Sequence, residues 1–477
     1  METGTVYLVG AGPGDVGLMT IRGRECLEKA DVVLYDRLVN PLILSSAKAG
    51  AETIYCGKLP DRHHLRQEAI QELMVQKAKE NKTVVRLKGG DPGMFGRSGE
   101  EAAALVEHGI TYEVIPGITS GIAAPLYAGV PVTHRDYSGS FAAVTAHSKS
   151  TTGEPEVDWG AFAKIDTISF YMGVKNLPHI VEKLIDHGKP ETTSVLIVEW
   201  GTTARQKTVS GTLATIVEEA EKYNVHNPAI TLVGNVSSLY EKLNWFEKKY
   251  LHGRYAWIVK TAPGGGRFAS ELREYGAEVL EYPRYTIEWE NTEFPEIPEA
   301  VEQILFHSPD SVRIFFQALK QAGKDIRSIN CSLGSESRRT NEQLKNYGII
   351  PAFLEGLQPQ QIFHSGPKEK LKSLPDKAAG KWLTHTIERS ASAEEVAGHI
   401  FEEEYINTVI LPSAQSVAVL AEELKRAGVQ SGNWLKQREI ICFGPAAETA
   451  LRENGWYSDK TLDEPDIAHL IQALHYI

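Results

Sequence analysis

Short apolar segments rich in β-branched residues alternate with segments of helical periodicity through the first half of the chain. Apolar runs of this kind are typical of strands that are buried on both faces of a parallel sheet. Between them, residues 64–80 place Leu65, Ala69, Ile70 and Leu73 on one side of a helix. The pattern therefore predicts an α/β fold. The predicted strands are residues 5–10, 31–35, 83–88, 112–115, 141–145, 167–171, 194–199 and 229–233.

The alternation of strand-like and helix-like segments is interrupted at a few places, and these interruptions predict the domain organisation. The first interruption lies near residue 116 and predicts two lobes, at about 1–115 and 116–245. A polar stretch at 246–253 then predicts a linker to a second region, residues 254–477.

An internal repeat organises the second region. Residues 304–323 (ILFHSPDSVRIFFQALKQAG) align without gaps to residues 409–428 (VILPSAQSVAVLAEELKRAG), and each copy precedes a strand, a glycine and a helix. Two similar α/β lobes follow from this repeat, because each unit must bury an apolar face against a sheet. A cleft between such lobes is where we expect a ligand. Serines at the helix starts either bind carboxylates there or simply cap the helices: Ser308, Ser311, Ser413 and Ser416.

Composition narrows the class of protein. The chain has 477 residues, 42% of them hydrophobic, with a net charge of -12, so general nucleic-acid binding is not expected. The longest apolar runs are too short for a membrane span, and the four cysteines form no CxxC pair. We therefore expect a cytoplasmic protein without a structural metal.

The first glycine-rich turn, residues 10–15 (GAGPGD), follows the first predicted strand. A dinucleotide-binding fingerprint needs a third glycine and a helix that begins directly behind the turn. Pro13 removes a donor amide and Asp15 would repel phosphate, so a ligand without phosphates fits better. A purely structural turn is the alternative.

A second turn, residues 87–93 (LKGGDPG), follows the strand at 83–88. Its carbonyls and a neighbouring carboxylate suit the ammonium and hydroxyl groups of an adenosyl amino acid, although a structural turn would look the same. Ser98 followed by Glu101 predicts a capping box that begins the next helix.

Taken together, the ordered motifs resemble the tetrapyrrole methylase family, and within it the uroporphyrinogen-III C-methyltransferases. The resemblance covers residues 3–243 and rests on the combination, since each motif alone is weak. The motifs are GAGPGD, DVVLYDRLV, CGK, LKGGDPGMFGRSGEE, PGITSG, GVPVTHR, AHS, FYMGV, EWGTTARQ and NPAITLVG.

The resemblance implies a two-lobed fold that binds S-adenosylmethionine in a cleft, methylates uroporphyrinogen III to precorrin-2, releases S-adenosylhomocysteine and dimerises through the methylase domain. Asp36 and Lys58 match the proton acceptor and donor proposed for the family. The implied cofactor contacts are Pro13, Gly89, Gly90, Asp91, Met94, Thr119, Ser120, Met172 and Gly201. Cations beside the motifs are expected to bind the substrate carboxylates: Arg22, Arg37, Arg97, His134 and Arg135.

The second region resembles uroporphyrinogen-III synthase, over residues 254–477, which implies cyclisation of hydroxymethylbilane. Several places depart from that family's pattern. Ala262 stands where an arginine is usual, and Ala447 stands where a threonine is usual. Between 351 and 408 only residues 380–387 read as a strand, so an expected strand, turn and helix are missing from the pattern.

Three alternatives stay open at this point. The C-terminal half is either a synthase or a non-catalytic interaction module, which its departures favour. The methylase half could act on a later precorrin, although LYDRLV and GVPVTHR favour uroporphyrinogen III. A nicotinamide dehydrogenase is the third alternative, and it would bind NAD rather than S-adenosylmethionine.

Overall fold

The structure is a computed structural model that forms two compact units. The described residues are 3–48, 50–57, 67–146, 157–264, 266–290, 293–352, 355–374, 377–390, 401, 405–463 and 466–475. The first unit contains Met1–Thr261, Gly265–Pro283 and Ala391–Ile477, and the second contains Ala262–Gly264 and Arg284–Ser390.

The first sheet of the first unit is parallel throughout, with strand order β3-β2-β4-β1-β5. Its strands are β1 (Val6–Gly10), β2 (Val32–Tyr35), β3 (Glu52–Tyr55), β4 (Val84–Lys88) and β5 (Tyr112–Ile115). Its helices are α1 (Ile21–Lys29), α2 (Gln67–Lys79) and α3 (Ser98–Glu107). Every residue of β2 and β4 is buried, as the apolar run of β2 predicts, and in β4 this includes Arg86 and Lys88.

The second sheet is mixed, with strand order β6-β7-β10-β8-β9. Only β6 and β7 run parallel, and the other neighbours are antiparallel. The strands are β6 (Phe141–Thr145), β7 (Thr167–Tyr171), β8 (Ser194–Glu199), β9 (Lys207–Thr212) and β10 (Ala229–Val233). The helices are α4 (Ser120–Tyr127), α5 (Trp159–Phe162), α6 (Leu177–Asp186), α7 (Ile216–Lys222) and α8 (Tyr240–Leu243).

A third sheet, also in the first unit, is parallel with order β12-β11-β18-β19-β20. Its strands are β11 (Tyr255–Val259), β12 (Glu278–Tyr282), β18 (Thr408–Leu411), β19 (Glu439–Phe443) and β20 (Lys460–Leu462). Helices α9 (Arg267–Glu274), α13 (Ala414–Arg426), α14 (Ser431–Leu435), α15 (Gly444–Glu453) and α16 (Ile467–Leu474) belong to it. Trp257 on β11 is completely buried in the core of this sheet.

The second unit holds a fourth sheet, with order β13-β17-β16-β14-β15, in which only the β13–β17 pair is antiparallel. The strands are β13 (Tyr285–Trp289), β14 (Gln303–Phe306), β15 (Ser332–Gly334), β16 (Ile362–Pro367) and β17 (Gly380–Arg389). The helices are α10 (Pro309–Gln321), α11 (Arg338–Asn346) and α12 (Lys368–Lys372). The predicted repeat is confirmed, because β14–α10 and β18–α13 are the same strand–helix unit.

Three details differ from the sequence-based expectations. The strand and helix that the pattern did not reveal are β16 and α12, which were hidden because IFHSGP carries polar residues inside a buried strand. The strands β3 and β9 were also missed. The polar stretch expected to be a linker is packed, since Phe246 and Leu251 are buried and Glu247 accepts a hydrogen bond from Gln206.

Candidate active site

A cavity of about 850 Å³ lies at the carboxyl ends of the first sheet's strands and is closed by loops of the second sheet. This is the edge at which parallel α/β sheets bind their ligands. Six cationic side chains line the cavity against three carboxylates, although the whole chain has a net charge of -12. The cations are Arg37, Arg86, Lys88, Arg97, Lys175 and Arg205, and the carboxylates are Asp36, Asp91 and Glu278.

Close approach of three backbone segments forms one wall of the cavity. Gly12 and Gly90 pair as an antiparallel bridge, with N···O distances of 3.1 and 2.7 Å. A Cβ atom on Gly117 would lie 2.3 Å from the Gly90 carbonyl oxygen, so this position admits only glycine. The two glycine-rich turns and the PGITSG loop therefore meet because none of them carries a side chain at the contact.

All nine residues predicted to contact the cofactor line this one cavity. They come from loops far apart in the sequence: Pro13, Gly89, Gly90, Asp91, Met94, Thr119, Ser120, Met172 and Gly201. Asp91 braces two of these loops, because its Oδ1 accepts from the Gly93 amide (2.8 Å) and its Oδ2 accepts from the Gly117 amide (2.9 Å).

Tyr171, which ends β7, fixes the neighbouring loop of the second sheet. Its hydroxyl lies 2.6 Å from Thr119 Oγ1 and accepts a hydrogen bond from the Gly121 amide at 2.9 Å. Burial raises the pKa of Tyr171, so the phenol stays protonated at neutral pH. Met172 follows with a left-handed backbone (φ 57°), a conformation that costs free energy outside glycine and is found at binding sites.

A buried network of charges lies beside Asp36, the predicted proton acceptor. Arg86 Nη2 donates to Asp36 Oδ1 at 2.5 Å, and Arg86 Nε donates to Glu101 Oε1 at 3.2 Å. Lys88 Nζ lies 2.8 and 2.9 Å from the two oxygens of Glu101. Glu101 is completely buried and Arg86 is 2% exposed, whereas a third of the Asp36 side chain is accessible. The network therefore holds the Asp36 carboxylate in place while part of it stays accessible at the cavity wall.

Burial and neighbouring charges shift the pKa values of the two cations of this network differently, with a net rise for Arg86 and a net fall for Lys88. Burial alone would lower the pKa of Arg86, but the carboxylates of Asp36 and Glu101 outweigh it and raise that pKa. Burial and the nearby Arg86 charge lower the pKa of Lys88, and the Glu101 carboxylate offsets only part of that effect. Arg86 is thus a permanent cation, while Lys88 is the more readily deprotonated of the pair.

This network corrects the expected capping box. The side chain of Glu101 does not reach back to the start of α3, because it binds Lys88, Arg86 and Gln67. The residue before the helix is Arg97 in a left-handed conformation, and it makes no side-chain capping bond.

The cations predicted to bind substrate divide into two groups. Arg37 and Arg97 line the cavity. Arg22, in contrast, is paired with Glu113 (2.9 Å) on the surface of the sheet, and His134 and Arg135 lie in a bridged turn that does not line the cavity. The structure does not bring these three to the site, so their substrate role stays a prediction. Lys58 lies outside the described residues.

Several residues of the site were missed by sequence reasoning. The available signal was two cations, Arg86 and Lys88, in the otherwise apolar strand VVRLK, since a buried central strand rarely carries charge without a partner. Asn40, Glu278 and Tyr405 left no such signal, and the last two lie beyond residue 234, where the last of the motifs ends.

Comparisons with known proteins agree with this geometry. Residues 5–217 match the family model "Tetrapyrrole (Corrin/Porphyrin) Methylases", and residues 266–365 match "Uroporphyrinogen-III synthase HemD". A Bacillus subtilis (strain 168) protein named uroporphyrinogen-III C-methyltransferase is 40% identical over 93% of this chain and 92% of its own length. The chain belongs to the tetrapyrrole methylase family. This confirms the resemblance and the predicted α/β fold class.

Two further proteins that are similar to this tetrapyrrole methylase align with different shares of its chain. The "Porphyrin biosynthesis protein HemD" of Ruminiclostridium josui is 39% identical over 74% of this chain and 71% of its own length. A crystal structure of the Thermus thermophilus uroporphyrin-III C-methyl transferase, complexed with S-adenyl homocysteine, is 39% identical and covers 50% of this chain and 100% of its own, with a TM-score of 0.43.

In the C-terminal half of the methylase, the repeated serines cap their own helices. The Ser311 amide donates to Ser308 Oγ at 3.0 Å, and the Ser308 amide donates to Ser311 Oγ at 3.2 Å. In the second copy the Ser413 amide donates to Ser416 Oγ, also at 3.2 Å. These bonds support the simpler of the two readings, in which the serines are helix caps.

Three histidines lie on or directly after strands of the second unit. Nε2 of His307, just after β14, lies 2.9 Å from Nδ1 of His364 on β16. His385 on β17 is completely buried, with its Nδ1 2.8 Å from Thr384 Oγ1. Burial, with a cation nearby in each case, lowers the pKa of both His307 and His385 to about 4, so both are neutral at pH 7.

Two kinds of feature are absent from the described part of the methylase. It contains no group of three or more His, Cys, Asp or Glu side chains that could hold a metal ion. None of its described helices combines the length and apolarity that crossing a membrane requires.

Proposed function

We propose that the chain is an enzyme of tetrapyrrole synthesis that uses S-adenosylmethionine to methylate uroporphyrinogen III to precorrin-2, on the route to sirohaem or cobalamin. Residues 1–245 form the methyltransferase in this proposal, and residues 254–477 form a uroporphyrinogen-III synthase module. The observation that carries the proposal is the convergence of all nine predicted cofactor residues on one cation-rich cavity.

The chemistry of the cavity suits the proposed cofactor. S-adenosylmethionine supplies an electrophilic methyl group when it is bound. The turn at Gly89, Gly90 and Asp91 offers carbonyl oxygens and a carboxylate to a cationic amino acid, while Met94 and Met172 offer apolar surface to a purine ring. Thr119 would add a hydroxyl that Tyr171 already orients.

Asp36 is placed to accept the proton that a pyrrole carbon must release after it gains a methyl group. General-base catalysis of this kind contributes about 10²–10⁴-fold to a rate. Arg86 acts as a positioning residue, because it binds Asp36 Oδ1 from the buried side and is itself held by Glu101. Lys58 is the proposed proton donor from the family resemblance.

The eight carboxylates of the proposed substrate need cationic side chains around the cavity to bind them. Arg37 and Arg97 are the predicted residues that line it, and Lys175 and Arg205 add to them. Arg97 is half exposed and pairs with its neighbour Glu100 along the helix, so exchange of Glu100 for a substrate carboxylate costs little. We assign carboxylate binding to Arg37 and Arg97.

The methyl-transfer proposal is tested with Asp36→Asn in the full chain under anaerobic conditions. We expect the rate of methylation of uroporphyrinogen III to fall by about 10²–10⁴-fold while binding of S-adenosylhomocysteine is retained, because only the proton-transfer step is lost. Asp31→Asn is the matched control, since Asp31 precedes the same strand but binds Lys48 and the Thr83 amide away from the cavity. An Asp36→Asn enzyme of normal rate would refute the assignment.

The synthase activity of the C-terminal half rests on its matched family model, its duplicated strand–helix units and the HemD-named relative. The β16–α12 unit supplies the strand and the helix that the sequence pattern lacked, without the expected arginine-glycine turn. A non-catalytic module is the second candidate, and one observation favours it. Ala447, at the position where a threonine is usual, is completely buried in the core and offers no hydroxyl.

One assay separates these candidates. The full chain receives hydroxymethylbilane as its only tetrapyrrole, with and without S-adenosylmethionine, and the ring isomer is identified after oxidation. Type III isomer without the cofactor, and a dimethylated product with it, support both activities. Only the spontaneous type I isomer, together with methylation of added uroporphyrinogen III, supports a methyltransferase with a non-catalytic module.

We also propose that the protein forms a homodimer through its methylase half. Large apolar side chains are exposed there on β5 and α4, which a second copy would cover: Tyr112, Val114, Ile118, Ile122 and Leu126. Ile122→Arg should convert the dimer to a monomer in analytical ultracentrifugation, and a monomeric wild type would refute the proposal.

We also propose that the protein is located in the cytoplasm, because its four unbridged thiols suit a reducing environment.

A further inference from the structure

The third sheet contributes residues to the wall of the methyltransferase cavity. Tyr255 and Glu278 are the first residues of β11 and β12, and Tyr405 precedes β18 by three residues. All three lie at the amino-terminal edge of this parallel sheet. Ligands of such sheets bind at the opposite, carboxyl edge, so these residues are not placed to serve a site of the third sheet itself.

Glu278 connects two loops of the methyltransferase cavity. Its Oε1 accepts a hydrogen bond from Asn40 Nδ2 at 2.6 Å, and its Oε2 accepts one from the Ala204 amide at 3.3 Å. Asn40 Nδ2 also donates to the Gly14 carbonyl at 2.9 Å. Gly14 and Ala204 are within three residues of Pro13 and Gly201, two of the predicted cofactor contacts.

Tyr405 packs against the second of these loops through Arg205. The Arg205 guanidinium carbon lies 3.5 Å from the centre of the Trp200 ring and 3.6 Å from that of Tyr405. Trp200 and Thr202 both have left-handed backbones, with φ of 48° and 72°. Such a loop persists only where surrounding contacts hold it, and Tyr405 provides one of them.

We propose that this edge of the third sheet is a working part of the methyltransferase site. Glu278 is a positioning residue that holds the loops at Gly14 and Ala204 in the conformation that binds the cofactor, and Tyr405 supports the same loop through Arg205. The inference rests on the proposed function, because the ligand is the proposed cofactor. Its consequence is that the C-terminal half stabilises cofactor binding whether or not that half is itself an active synthase.

The test measures binding of S-adenosylhomocysteine to the full chain by calorimetry. Glu278→Ala should weaken binding about tenfold, because two buried donors lose their acceptor and the loops lose a fixed link. Glu278→Gln keeps an acceptor oxygen and should recover part of the affinity. Glu281→Ala is the matched control, since Glu281 lies on the same strand but bonds to the Gly266 amide and does not line the cavity.

A second pair of variants tests the contact between the Tyr405 ring and the Arg205 guanidinium. Tyr405→Ala should weaken binding about fivefold, the range of a partly buried cation–π contact, and Tyr457→Ala on the exposed surface should leave it unchanged. In both series the KM for S-adenosylmethionine should rise while kcat at saturating cofactor changes little. A purely structural role would instead lower the unfolding temperature without that separation.

The outcomes are distinguishable from those of the proposed function. A wild-type chain that binds no S-adenosylhomocysteine would overturn the proposed function and this inference together. A wild type that binds it, with Glu278→Ala and Tyr405→Ala binding equally well, would overturn the inference alone. If Glu278→Ala does not fold, Glu278→Gln and Tyr405→Ala decide between these results.

Discussion

Polar groups at the strand ends of the first sheet line a cavity, whereas those at the repeated strand–helix units of the C-terminal half bond mainly to their own helices. In the first sheet Asp36 is fixed from behind by Arg86, and its side chain stays a third accessible. In the repeat, the hydroxyls of Ser308 and Ser311 are engaged in a reciprocal cap. The same position in an α/β fold therefore lines a cavity in one region and stabilises a helix in the other.

The difference also shows in how charge is buried. The methylase half carries Arg86, Lys88 and Glu101 inside its core, and such networks are costly unless every member is paired. The second unit buries neutral histidines instead. We infer that the first arrangement was kept for function, since an apolar core would be as stable without it.

The largest effect that would test this comparison is expected from Glu101→Ala. Removing the carboxylate leaves Lys88 without its partner and takes one of the two carboxylate partners of Arg86, so the free energy of unfolding should fall by about 3–5 kcal/mol. Denaturant unfolding of the full chain measures it. The adjacent Glu100→Ala is the control, because its half-exposed pair with Arg97 is screened by water. Equal losses for the two variants would contradict the buried network.

A smaller effect is expected from pH on the second unit. The pKa of His385 is about 4 in the folded chain and near 6.5 when unfolded, so its contribution to stability is complete above pH 6.5 and is lost as pH falls towards 4. Thermal unfolding between pH 7 and 4.5 should show a decline of several degrees that His385→Gln reduces. His469→Gln, an exposed control, should leave the decline unchanged.

Ser311 and Ser416, at the third position of their helices, each accept a hydrogen bond from the amide of the N-cap serine. One such bond contributes about 1 kcal/mol, so Ser311→Ala and Ser416→Ala are expected to lower the free energy of unfolding by that amount. Ser337→Ala is a matched control, since Ser337 also precedes a helix but its side chain makes no capping bond. If these hydroxyls instead served a ligand, the variants would lose synthase activity without losing stability.

The smallest effect is expected from Arg22→Gln. Because Arg22 is paired with Glu113 away from the cavity, the KM for uroporphyrinogen III should change by less than about twofold. Arg97→Gln, at the cavity, should raise that KM by about tenfold, the usual effect of one lost charged hydrogen bond. A large effect of Arg22→Gln would place the substrate beyond the cavity described above.

The family resemblance named nine residues as cofactor contacts, and the structure brings all nine to one cavity. Those from the first sheet meet there because they follow strands of a parallel sheet, whose carboxyl ends share one edge. Met172 and Gly201 reach the cavity from the mixed second sheet.

Sequence reasoning misread Glu101, since a capping box and a buried ion pair can have the same spacing in sequence. It also placed Arg22, His134 and Arg135 at the substrate by their proximity to motifs, although neighbours in sequence can lie on opposite sides of a turn.

The sequence by itself determined the α/β class and the repeat, because periodicity and glycine position are local properties of the chain. Through the family resemblance it also named the loops that we propose to bind the cofactor. Only the tertiary structure decided which charges are paired and which face the cavity. It alone brought Glu278 and Tyr405 to Asn40 and Arg205, since contacts between residues two hundred positions apart depend on how sheets pack and leave no local pattern.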